Sequence, residues 1–218
     1  AGPVLGIAAM AFVWLLGILH RHRVSGNWVL VGPLVAFSAL GALSIAYPQL
    51  LGNGRDLAQN LFRGELPLAT VAVLLALKPL VTLVCWGSGA PGGMFTPVTA
   101  YGALLGALLG RLWSMAWPGM PAGAYALVGA TALVTTAMSA PVTGVLLMIE
   151  LTHQLTPLLV PVILAAGGAL LVAWALGGGS IYSARAPLPR PDGPSPPRPG
   201  TSPPAPSPDG PSPTPRPS

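Results

Sequence analysis

Residues Gly87–Pro97 read GSGAPGGMFTP and lead straight into the apolar run Val98–Leu109. Five glycines or alanines and two prolines free this backbone from regular structure, and then a helix begins. The first turn of a helix has N–H groups without intrahelical acceptors and a partial positive charge. Together these make an anion site without any basic side chain. A full lysine or arginine charge would hold a small anion too tightly for rapid release. Dipoles bind it weakly enough for it to leave again.

The surroundings of this junction are those of a membrane protein. Of 218 residues, 52% are hydrophobic and only 7% charged, against about 25% charged in an ordinary soluble domain. Five acids and ten bases cannot wet the surface of such a chain. The net charge of +5 comes from bases scattered over loops, span ends and tail. No basic stripe with interleaved aromatics accompanies it, so nucleic acid is not the expected partner. Arg21 and Arg23, flanked by His20 and His22, instead mark a short loop expected on the cytoplasmic side. Cys85 is the only cysteine, which excludes an intrachain disulfide and a thiolate cluster.

Outward from the junction, apolar segments are expected at Gly2–Leu19, Trp28–Ala46, Leu66–Trp86, Phe95–Trp113, Ala122–Met138, Val142–Thr152 and Leu158–Leu176. Several fall short of the roughly 20 residues that span a bilayer, and Pro3, Pro67 and Pro97 each lie near a segment start. Short or broken helices at membrane depth are tolerated where protein or an aqueous cavity covers the freed backbone. That pattern points to a channel or transporter. Tyr47–Glu65 is expected as a long polar loop turning at Gly52-Asn53-Gly54. Gly102, Gly106 and Gly110 repeat every four residues and predict close helix packing. Residues 1–186 form the expected membrane domain, and 187–218, rich in Pro and Ser, an expected disordered tail. With no initiator Met and no charged stretch before its first apolar run, the chain reads as cut at its front end.

Four landmarks in order resemble the CLC family of chloride channels and chloride–proton antiporters. Gly93-Met94-Phe95-Thr96-Pro97 matches the family's GxFxP motif, with Ser88-Gly89-Ala90-Pro91-Gly92 as its lead-in. Ser139-Ala140-Pro141-Val142-Thr143-Gly144, with Leu147, Glu150 and Thr152, is similar to a later APxTG segment. Gly178-Gly179-Ser180-Ile181-Tyr182-Ser183 resembles the stretch that carries the pore tyrosine, and Pro48–Gly54 is similar to bacterial members.

The resemblance implies an all-α, polytopic transmembrane bundle with short broken helices, the second inverted repeat of a CLC-like fold. It implies that the amides of Met94 and Phe95 and the Tyr182 hydroxyl donate to chloride, and that Gly93 lets the backbone approach the ion. It further implies no cofactor, a bacterial-type plasma (inner) membrane location in the lipid bilayer, and a homodimer packed through the first helix and Val142–Leu176. The family's first half carries a GSGIP segment with an ion-binding serine and a GREGP segment with a gating glutamate. Neither occurs here, so the expectation is half of an anion pathway that needs the missing N-terminal half. Channel and proton-coupled exchanger both stay open, because the deciding acids are absent.

Other readings are weaker on their residues. Glu150 and His153 have a spacing used in carboxylate metal sites, but the spans offer no further carboxylate, so no metal is expected. Ser88 and His153 are the one plausible pair for an intramembrane serine hydrolase, yet Trp86-Gly87-Ser88-Gly89 lacks the Gly-x-Ser-Gly spacing. An enzyme is not expected. An inactive, purely structural fragment remains the main alternative. Lys78, the sole lysine, is expected to snorkel or to pair, with Glu150 a candidate partner.

Overall fold

Glycine and proline punctuate this chain into helices. The computed structural model describes residues 2–21, 28–52, 54–89, 92–117, 119–152 and 158–181. Among them every regular element is helical: α1 (Gly2–Arg21), α2 (Trp28–Ala46), a 3-10 turn (Pro48–Leu50), α3 (Arg55–Arg63), α4 (Leu68–Gly87), α5 (Phe95–Ala116), α6 (Ala122–Met138), α7 (Pro141–Thr152) and α8 (Leu159–Ala175). These residues lie in one compact unit spanning 1–186. The loop beyond Arg21, Ala90 and Pro91, His153, Tyr182 and the tail lie outside the described residues.

The expected segments correspond to α1, α2 and α4–α8, with ends shifted by up to three residues. Tyr47–Glu65 departs from expectation, because it is not a plain loop. After the 3-10 turn it forms α3, which buries Leu57, Ala58 and Leu61 against the bundle. Gly54, at φ +96°, starts this helix and Gly64, at φ +75°, ends it. A side chain at Gly54 would sit 2.8 Å from the Ala100 Cβ and 3.3 Å from the Lys78 Cε. Only glycine fits both the backbone and the space there.

Helix α6 occupies the middle of the bundle. Its residues are buried around the whole circumference, from Ala124 through Ala130 to Ala137, which is the signature of an interior helix. It packs against α5, α8 and α1, and also against α7 and α3. The seam with α5 is backbone against backbone. A methyl group at Gly102 would sit 2.6 Å from the Gly129 carbonyl oxygen, and one at Gly106 2.8 Å from the Gly129 Cα. The expected glycine stripe is therefore the contact surface of the tightest helix pair. A similar close approach joins α1 to α8, where Gly6 faces the Ala169 backbone.

Three helices close with the same pair of backbone bonds past their last turn. The Glu65 N–H donates to the Asn60 carbonyl, Gly178 to Ala173, and Ala140 to Thr135. In this cap one residue takes a left-handed conformation. At Gly64 and Gly177 glycine does so cheaply, but at the third position it is Ser139, with φ 54°. The turn delivers the chain within two residues to Pro141, the first residue of α7.

Two stretches, Gly2–Leu19 and Leu68–Gly87, are long and apolar enough to cross a bilayer, with mean hydropathies of 2.2 and 2.3. Large apolar side chains face outward along most helices, among them Trp14, Phe37, Leu146, Leu164 and Trp174. Such a surface suits lipid or protein neighbours and not water.

Candidate functional site

The GSGAPGGMFTP stretch sits where α4 ends and α5 begins. Gly89, at φ +101°, turns the chain away from α4, and its N–H donates to the Trp86 carbonyl at 3.2 Å. Gly92 and Gly93 are exposed, and a Cβ on either would meet nothing within 4 Å among the described residues. Packing inside the chain therefore does not require glycine at these positions. Met94 follows as the buried cap residue, and its carbonyl accepts the first helical bond, from the Val98 N–H at 3.1 Å. Phe95, Thr96 and Pro97 form the first turn of α5. Proline is tolerated there because N–H groups of the first turn have no intrahelical acceptor. The residues read as anion ligands thus fall into two groups. Gly93, Met94 and Phe95 stand together at the α5 start, and Tyr182 lies outside the described residues.

A cavity of about 290 Å³ adjoins this start. Its wall includes Phe37 of α2, Lys78 and Cys85 of α4, and Gly93 and Met94. Lys78 corrects an expectation. It does not snorkel, being only 3% exposed, and it does not pair with Glu150, whose side chain is exposed. Its ammonium instead donates to the Leu50 carbonyl at 2.8 Å and to the Gly52 carbonyl at 3.2 Å. The clamp fixes the turn after the 3-10 segment against the middle of α4. Its signal in the sequence is the one charge within an apolar span, but its partners lie 26 and 28 residues earlier.

The hydrolase pair gains no support from the geometry. Ser88 is buried and its hydroxyl donates to the Cys85 carbonyl at 2.7 Å, while His153 lies outside the described residues. Among the described residues no group of three or more His, Cys, Asp or Glu side chains could hold a metal ion.

Comparison with known proteins agrees with this geometry. Residues 1–174 match the family model described as voltage gated chloride channel. The chain is 33% identical over 189 residues to the H(+)/Cl(-) exchange transporter ClcA of Vibrio campbellii, covering 84% of this chain and 40% of that protein. It is 32% identical over 184 residues to ClcA of Klebsiella pneumoniae, covering 84% and 38%. The chain thus spans about two-fifths of the length of these curated relatives. Among solved structures it resembles a slow cyanobacterial Cl-/H+ antiporter, with TM-score 0.76, 28% identity, and coverage of 84% of this chain and 44% of that one. It also resembles a eukaryotic CLC transporter, with TM-score 0.68, 25% identity, and coverage of 84% and 33%. On the matched residues, the helix order and these relatives, the chain belongs to the voltage-gated chloride channel family.

Proposed function

We propose that this chain supplies one side of a chloride pathway through a membrane. The ion rests at the start of α5, met by the amides of Met94 and Phe95 and by the Tyr182 hydroxyl. The remaining donors come from the part of the relatives' length that this chain does not span. The chain acts as a transport component and not as an enzyme. It sits in the bilayer as a multi-pass protein of a bacterial inner membrane and pairs with a second copy through α1, α7 and α8. Residues 187–218 take no part in the pathway.

One observation carries this reading: Gly93 and Met94, at the start of α5, line a cavity of about 290 Å³. Amide dipoles there stabilise a dehydrated anion without trapping it, as fast release demands. Chloride-35 NMR tests the assignment, because line broadening reports weak, exchanging binding. The wild-type chain, co-expressed with the remaining length of a relative such as ClcA and purified in detergent, should broaden the signal saturably, with bromide as competitor. Tyr182→Ala removes a donor and should weaken the apparent affinity about threefold or more, on the scale of about 0.6–1.5 kcal/mol for one hydrogen bond. Phe95→Ala keeps its amide and should weaken binding by letting the first turn of α5 shift. Unchanged affinity in both variants would remove these positions from the pathway.

A further inference from the structure

Lys78 stands midway along α4 (Leu68–Gly87) and is 3% exposed, so little water hydrates its charge. A buried ammonium is costly unless it is compensated. None of the carboxylates among the described residues, Asp56, Glu65 and Glu150, pairs with it; its acceptors there are the Leu50 and Gly52 carbonyls. These use two of its three donors. The side chain also lines the cavity that Gly93 and Met94 line. Its stem runs beside the first turns of α5, because the notch at Gly54 is walled by the Lys78 Cε at 3.3 Å, the Ala100 Cβ at 2.8 Å and the Thr96 carbonyl oxygen at 3.7 Å. The Lys78 ammonium and the start of α5 therefore border the same partly open cavity.

We propose that Lys78 is the positioning charge of this cavity, and that the third partner of its ammonium is a monovalent inorganic anion held there. The proposal rests on the chloride-pathway reading above and adds a residue that the family motifs in this sequence do not include. The two carbonyls give the arrangement its balance. They hold the ammonium in place and offset part of its charge with their negative ends. The anion thus meets a tempered potential instead of a bare lysine. A clamp alone does not need a charge, since a neutral amide can donate to carbonyls. The charge makes sense when its counter-ion arrives from the cavity.

The test uses the full chain co-expressed with the remaining length of a relative such as ClcA, in detergent, and chloride-35 NMR, with three variants of this chain. Lys78→Arg keeps the charge, Lys78→Gln keeps a donor without charge, and Lys78→Met keeps only the stem. The expected result is an apparent chloride affinity within about threefold of wild type for arginine. For glutamine and methionine the affinity falls about tenfold or more, at an unfolding temperature that in glutamine stays close to wild type. Glutamine and wild type binding alike would overturn the proposal and leave the pathway reading standing. An equal loss in arginine and glutamine would overturn it too, because that pattern marks a clamp and not a charge. Absence of saturable binding in wild type would overturn both readings. Should the neutral variants fail to fold, Cys85 in the same wall reports the potential in wild type. An anionic thiosulfonate should modify it faster than a cationic one of similar size, and chloride should slow the anionic reagent. No preference between the two reagents counts against the proposal.

Discussion

Ser139 holds a left-handed backbone at a helix end where Gly64 and Gly177 hold the equivalent places at two others. An L-residue with a Cβ pays about 1–2 kcal/mol for that conformation, whereas glycine adopts it without the clash. Glycine also loses more entropy on folding, which offsets part of the gain. Ser139→Gly should therefore raise the stability of the purified protein by about 0.5–1 kcal/mol, read as a higher unfolding temperature. An unchanged or lower temperature would mean that the serine hydroxyl stabilises this turn in another way. At this scale the sequence announced the start of α5 after Gly93 and Met94, because glycines and a proline sit where an apolar run begins. It did not reveal the partners of Lys78. Those are backbone carbonyls brought in from a distant turn, and any residue type there would have offered the same oxygen atoms.

Among elements, the apolar helices were legible because their residues run unbroken between glycines and prolines. Helix α3 was not, since its polar residues outnumber its apolar ones and the surrounding segment reads as loop. The signal was nonetheless present in Leu57, Ala58 and Leu61 on one face and a glycine at each end. The α5–α6 seam makes the clearest element-level prediction. Gly106→Val pushes a branched side chain into the Gly129 Cα, 2.8 Å from the new Cβ, and backbone cannot swing aside as a side chain can. A loss of at least about 2 kcal/mol is expected, measured by unfolding in detergent. Gly167→Ala in α8 is the control, because a Cβ there meets nothing within 4 Å among the described residues. Equal tolerance of both changes would show that the seam opens in the folded protein.

For the whole molecule, the apolar exterior and the share of the relatives' length bear on the same question. Helix α2 is the extreme case, with Val31, Leu34, Val35, Phe37 and Ile45 all exposed and Ala36 buried. On the proposed reading, Met94, Phe95 and Tyr182 supply one wall of the ion cage. A dehydrated ion met by part of its ligands faces a barrier of several kcal/mol, on the order of 2–7 for an unmet polar group. The chain reconstituted alone in liposomes should pass no selective chloride flux, and co-expression with the remaining length of a relative such as ClcA should restore it. Chloride efflux from the vesicles is the measurement. Robust selective efflux from this chain alone would show that it closes the cage by itself. The sequence could not display which apolar side chains stay on the exterior, since exposure depends on which helices meet.

The Lys78 clamp also bears on the order in which the chain is built. A lysine near the centre of a membrane segment costs about 2.5–3.5 kcal/mol to insert from the translocon, and α4 has nothing charged of its own to offset it. The two carbonyls that receive the ammonium belong to residues synthesised earlier, Leu50 and Gly52. During biogenesis the receptor for this charge is therefore already made when α4 emerges from the ribosome. The helix can enter the bilayer against a docked turn and not as a lone charged span. Read this way, the turn after α2 serves as an internal chaperone for the segment that follows it.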